Sequence, residues 1–374
     1  MQVEFDPTGT VAGLAEAVGR LNANPTVHAA LVFAADGNNL PAEAMNAAIT
    51  ASPLPLLGGI FPAIAYRSET YEQGTLVVGL DHLPDYGVVD TLSAADTAFE
   101  TAISAFADNW PDEPRDATYL VVVDGLAARI SDLIEALFFS LGLEHNFIGG
   151  GAGSLSFRQS PCIITPEGLC EDSALVARLA APSAIGVSHG WQPISETMTV
   201  TESAGNRVQT IDWQPAAELY AREVFAHSGQ RIDADNFFSI AKSYPLGIAR
   251  YGAEVVVRDP LMMNDAGEIV CVGEVPAGCR IRLLNGDVDT LLTAAGNARD
   301  GATSNHPREA VDTALLFDCI SRVLFLDAEL GRELHAVGGG APVHGAFTLG
   351  EIANSGHDYL DFLNKSIVYA IIDQ

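Results

Sequence analysis

An internal repeat constrains this chain more than any other feature. A short apolar run at 30–36 (ALVFAAD) ends in Asp36-Gly37, and a second at 119–124 (YLVVVD) ends in Asp124-Gly125. Apolar residues at helical spacing follow each run, at 41–50 and at 127–141. Both copies then reach an apolar-Gly-Gly step, Leu57-Gly58-Gly59 and Ile148-Gly149-Gly150. Tyr66-Arg67 and Phe157-Arg158 continue the match, and closing strands are expected at 75–80 (TLVVGL) and 174–179 (ALVARL). A third, fainter copy runs from 314–318 (ALLFD) and Cys319 through a helix at 321–334. It goes on to Val343-His344-Gly345 and a closing strand at 366–372 (SIVYAII). Units of this kind are βαβ elements, whose crossover is right-handed. The expected fold is therefore α/β: two domains built from repeated βαβ units with an inserted β-rich meander.

The insertion lies between the second and third copies. Residues 196–212 alternate around Gly205-Asn206, a hairpin signal. Asp212-Trp213-Gln214-Pro215 opens a helix running through Phe225. Short strands at 254–257, 269–272 and 280–284 are separated by Asp265-Ala266-Gly267 and Pro276-Ala277-Gly278, the punctuation of a meander. The two N-terminal copies and their last hairpin are complete near residue 212. The expected domains are thus 1–212 and 213–374, and 374 residues is too many for one small core.

Charge narrows the function. Against 48 acidic residues there are 19 basic ones, for a formal net charge of −29. Such a surface repels phosphate backbones and anionic lipid, so no nucleic-acid partner is expected. The opening MQVEFDPTGT has no basic and apolar leader, and no apolar stretch approaches the roughly 20 residues that span a bilayer, so no membrane insertion is expected. Five cysteines without a CxxC pair fit a reduced, cytoplasmic setting. The nine histidines show no metal-spaced pair, and 338–340 (GGG), lacking a following Lys-Ser/Thr, is expected to be a mobile loop and not a phosphate cradle.

Several stretches carry a family resemblance. The segment 342–351 (PVHGAFTLGE) leads into Ile352, Asn364-Lys365-Ser366 follows, and 314–322 (ALLFDCISR) precedes it. With Ser188-His189-Gly190-Trp191 and Gly58-Gly59, these resemble the FIST family (F-box and intracellular signal transduction), as a FIST N-terminal domain followed by a FIST C-terminal domain. The resemblance covers nearly the whole chain. It implies a small-ligand sensory protein, with amino acids the proposed ligands and haem-based sensing of nitric oxide the alternative. At 57–65 (LGGIFPAIA) this chain lacks the polar and acidic residues associated with the family, so the C-terminal motif carries the stronger support.

The residues themselves suggest how a ligand would be held. Gly345 and Gly350 leave room for close backbone approach. Glu351, at a strand-to-loop edge, can hold a cationic group, and the Arg322 fork suits a carboxylate. Asn364 adds an amide. The competing reading is that Arg322 and Glu351 pair with each other. Cys319, at a helix start, joins the expected ligand-binding set and, with His344, offers an enzymatic alternative as a nucleophilic pair. Asp36, Asp124 and Asp318 suit helix capping or acid/base work. No cofactor is expected on the first reading; haem would need one histidine, with His189 and His344 standing in the family-like motifs. No kinase or cyclase segment is expected beyond Gln374, so output is expected to pass to a separate signalling protein of that kind.

Overall fold

The run Ala29–Ala35 is apolar and buried at every position, as a strand inside a covered sheet must be. The computed structural model describes residues 1–111, 117–142, 144–179, 181–250, 254–306, 314–354 and 359–373. In it, Ala29–Ala35 lies parallel to Leu56–Phe61, with the helix Ala42–Thr50 as crossover, and antiparallel to Thr75–Leu80. Thr118–Asp124 is likewise parallel to Asn146–Ala152, across the helix Ile130–Leu141, and antiparallel to Ala174–Leu179. Ala314–Cys319 is parallel to Val343–Thr348 and antiparallel to Ile367–Ile372. Each set is the middle of a six-stranded sheet.

A hairpin from elsewhere in the chain widens each sheet. Ile163–Thr165 and Gly168–Cys170 extend the first sheet beside Leu56–Phe61. Glu351–Ala353 and Asp361–Leu363 extend the second beside Asn146–Ala152. Ala63–Tyr66 and Glu69–Tyr71 extend the third beside Val343–Thr348. Strands from both sides of residue 212 therefore share the second and third sheets.

Alternation across the strands sorts the core. Leu31, Phe33, Leu120, Val122, Leu315 and Phe317 turn into one interior common to the three sheets. Val32, Val121 and Leu316 face the helices packed outside. Each parallel pair also holds a glycine in register with one of these: Gly58 beside Val32, Gly149 beside Val121, Gly345 beside Leu316. Their φ angles are +144°, +143° and +157°. At each, a Cβ would collide with the carbonyl oxygen of the registered partner, so both conformation and space require glycine.

The β-rich insertion is more than a meander, because it closes. Arg280–Asn285, Met198–Ala204, Arg207–Ile211, Ile269–Val272, Val256–Met263 and Leu246–Ile248 pair in that order, and the last returns to the first. Closure into a barrel leaves no open edge in this ring. The helices Ala216–Ser228 and Phe237–Ala241 pack on its apolar core.

Two helical expectations need correction. The segment 321–334 is not one helix: Asp327 takes φ +49°, and the chain runs Ile320–Leu326, a 3₁₀ turn at Asp327–Glu329, then Leu330–Gly338. Gly338 ends that last helix and Gly339 caps it in the left-handed conformation, so the glycine run is a helix terminus where a mobile loop is expected. No helix among the described residues is long and apolar enough to cross a membrane.

Candidate functional site

Arg322 is fully buried in the first turn of Ile320–Leu326. Its Nε lies 3.0 Å from Glu333 Oε1, and its Nη2 bonds the same oxygen. Asp318 Oδ1 is 3.3 Å from Nε, and carbonyls of His189 (2.6 Å), Lys365 (3.2 Å) and Leu291 (3.2 Å) take the remaining donors. Every arm of the fork is used within the protein. The expected partner Glu351 is not among them, because the break at Asp327 folds Glu333 back into reach.

Two carboxyls around one guanidinium cannot both ionise cheaply when water is excluded. Burial, and then the neighbouring Glu333, push Asp318 well above the ordinary range. Burial alone would lower the Arg322 pKa, but Glu333 and Asp318 raise it. A second buried ion pair adjoins the first: Lys365 Nζ is 3.2 Å from Asp259 Oδ2, donates to the Lys242 carbonyl at 2.9 Å, and lies 5.0 Å from the centre of the Trp191 ring. Sequence reasoning gave Lys365 no role, although it is one of only two lysines in the chain. The motif Ser188-His189-Gly190-Trp191 serves this cluster. The His189 carbonyl receives Arg322, and Trp191 Nε1 donates to the Lys365 carbonyl at 3.2 Å.

Glu351 occupies a separate buried position. Thr348 Oγ1 is 2.8 Å from its Oε1, the Ser366 amide donates to its Oε2 at 3.2 Å, and Cys319 hydrogen-bonds it. Burial raises its pKa to about 8 despite these bonds. Cys319 is pushed well above the usual thiol range, by burial first and Glu351 second. It is therefore a neutral thiol and not an activated nucleophile. Nor is it paired with His344. Cys319 is in register with Thr348, four residues along the strand from His344, which at strand rise is about 13 Å. The nucleophilic pair of the enzymatic alternative is not assembled.

The strand-end aspartates hold turns. Asp124 Oδ1 accepts from the Leu126 amide at 3.0 Å and its Oδ2 from the Asp172 amide at 2.9 Å, while Ser154 donates to Asp36 at 2.6 Å. His189 Nδ1 accepts from the Trp191 amide at 2.9 Å, and burial, then Arg322, bring its pKa down to about 4. Burial, then Arg67, bring His344 down to about 4 as well. Neither histidine lines the cavity described next, and His357 lies outside the described residues. Among the described residues, no group of three or more His, Cys, Asp or Glu is placed to hold a metal ion.

What the structure does bring together is a cavity of about 420 Å³ where the barrel meets the sheets. On the sheet side its wall includes Cys319 to Ser321, Leu349-Gly350 and Asn364, together with residues 125–131 at the end of Thr118–Asp124. Residues 271–274 and Asn206 close it from the barrel. Of the expected ligand-binding residues, Cys319, Gly350 and Asn364 line it; Arg322, Glu351 and Gly345 do not. Gly350 has φ +95° and no room for a Cβ against Phe362. Asn364 is 1% exposed, and both its Oδ1 and Nδ2 lack a hydrogen-bond partner. Buried amide atoms left unpaired cost about 1–3 kcal/mol, which a ligand or bound water would recover. Half-exposed Phe157, Phe238 and Leu324 form an apolar rim. The Asp124-Gly125 repeat signal could have flagged the 125–131 wall. The barrel wall has no local signal, since it depends on long-range closure.

A family model described as the FIST N domain matches residues 28–214, and one described as the FIST C domain matches residues 216–354. No curated protein matches the chain.

Proposed function

Because the chain belongs to the FIST family, we propose that it is a sensory protein that takes up a small metabolite, an amino acid or a compound like it, in the cavity between barrel and sheets. FIST domains are associated with sensing in signal transduction. The observation that carries the reading is the convergence of Cys319, Gly350 and Asn364, from three separated stretches, on one concave space of about 420 Å³. That volume, an apolar rim and a few polar groups match the usual make-up of small-molecule sites. Glu351, Arg322 and Lys365 then act one layer back, holding the strand ends that form the wall.

The finer reading of the fold belongs to the same proposal. Three strand–helix–strand units, repeated, account for the shared pairings and for Gly58, Gly149 and Gly345 at matching register. On this reading the halves 1–212 and 213–374 act together, since the cavity draws its wall from both. A ligand there would alter how the barrel seats on the sheets, and a separate signalling protein, such as a kinase or a cyclase, would respond to that change.

Mass spectrometry of small molecules carried through native purification tests the reading. The wild-type protein is expected to retain a metabolite that Leu324→Trp, which fills the rim, does not retain. A folded Leu324→Trp protein that carries the same molecule would move the site elsewhere.

A further inference from the structure

The charges around the cavity are uneven. Among the described residues one cation lines it, Arg129, and its guanidinium is already engaged. Arg129 Nε donates to Asp132 Oδ2 at 2.8 Å, its Nη1 to the Ala94 carbonyl, and its Cζ lies 4.6 Å from the centre of the Phe99 ring. Glu274 also lines the cavity; no hydrogen bond or close ion pair to its carboxylate is formed among the described residues, although Arg258 attracts it. The nearby Arg258 instead gives its Nε to the Glu274 carbonyl at 2.8 Å and its Nη1 to the carbonyls of Val257 and Phe362.

Two helix starts on the sheet side would ordinarily welcome an anion. Both already face a carboxyl of the protein. Asp132 sits in the first turn of Ile130–Leu141, and Asp259, ion-paired with Lys365 at 3.2 Å, neighbours Ser321 at the start of Ile320–Leu326. With those answered, Glu274 is the carboxylate that lines the cavity without an ion pair, and the buried Arg258 behind Gly273 attracts it from outside the wall, in a chain whose net charge is −29. A cleft of that sign concentrates cations and excludes anions.

We propose that the cavity selects its ligand by a positively charged nitrogen and not by a carboxylate, so that the ligand is an amine with an apolar body, its nitrogen toward Glu274. This rests on the reading of the cavity as the sensory site. The Asn364 amide oxygen offers a second acceptor to the same nitrogen, and the rim of Phe157, Phe238 and Leu324 receives the apolar part. An amino acid would be held by its ammonium, with its carboxylate toward solvent.

Three probes share a phenyl ring and differ in charge: 2-phenylethylamine, L-phenylalanine and 3-phenylpropionate. Isothermal titration calorimetry on the full chain is expected to show the amine binding most tightly and the propionate not binding. Glu274→Gln should weaken the amine about tenfold, the scale of one charge-assisted contact. Glu274→Arg should reverse the order in favour of the propionate. Propionate binding as tight as the amine, or an amine affinity unchanged in folded Glu274→Gln, overturns the inference. If that binding is lost in Leu324→Trp, the cavity reading survives. If none of the three probes binds the wild type, the amine inference falls, while retention of a metabolite by wild type alone still decides the cavity reading separately.

Discussion

Arg322 and Glu333 are eleven residues apart in sequence, yet Arg322 Nε lies 3.0 Å from Glu333 Oε1. Eleven residues of unbroken helix rise about 16 Å, so this contact exists only because the helix breaks at Asp327. Removing one partner of a buried pair leaves an uncompensated charge. Arg322→Met is therefore expected to lose about 3–5 kcal/mol in urea unfolding. Arg322→Met with Glu333→Leu should recover part of that loss, because no unpaired carboxylate of Glu333 then remains. A single variant as stable as wild type would remove the pair from the structural role given to it here.

Glu351 gives the protein a pH dependence that extends up to about pH 8. Its pKa is about 8 when folded and 4.5 is its ordinary value, so the native state holds the extra proton between those limits. Stability contributed this way is present at low pH and falls as pH rises toward 8. Above pH 6.5 the two low-pKa histidines are neutral in both states and do not obscure the effect. Urea midpoints measured between pH 6.5 and 8 should decline for wild type and decline less steeply for Glu351→Gln, the raised Asp318 carboxyl accounting for what slope remains.

His189 and His344 act in the opposite sense at acid pH. Each has a folded pKa of about 4 against an ordinary 6.5, so the unfolded chain takes up protons first. Stability is then lost as pH falls from 6.5 toward 4. His344→Gln should lessen the drop in Tm across that window, and an unchanged acid profile would count against this assignment.

Substituting alanine at Gly58, Gly149 or Gly345 should be costly at all three. Each combines a positive φ with a carbonyl oxygen where the Cβ must go. A loss of about 3 kcal/mol or more, or failure to fold, is expected in thermal or urea unfolding. A neutral substitution at any one would show that its strand can relax away from Val32, Val121 or Leu316.

Cysteine labelling separates the buried thiols from the others. Cys162, Cys271 and Cys319 are buried, whereas Cys170 and Cys279 are partly exposed. Iodoacetamide should modify Cys170 and Cys279 first in the native protein. Rapid labelling of Cys319 would contradict its description as a protonated, enclosed thiol.

The strands of the first two units are legible from the sequence because they are short-range signals: an apolar run, a turn residue, a helical period. The expected closing strands at 75–80 and 174–179 coincide with Thr75–Leu80 and Ala174–Leu179. Nothing local announces where the hairpins attach, that the insertion closes into a barrel, or that Asp327 leaves the helix. The candidate site was half legible for the same reason. Cys319, Gly350 and Asn364 could be picked out as motif residues, but the partner of Arg322 depends on the Asp327 break, and Glu274 reaches the cavity only through barrel closure.

The hairpins that widen the three sheets make each sheet depend on chain supplied by another part of the molecule. A piece ending near residue 212 would retain Asn146–Ala152 without its neighbour Glu351–Ala353, leaving a row of backbone donors and acceptors uncovered. Such an edge is a template for pairing with other chains, so separately expressed halves would be prone to aggregate. In the intact protein the same arrangement interlocks the sheets, and the pairing of residues hundreds of positions apart is of the long-range kind that slows folding.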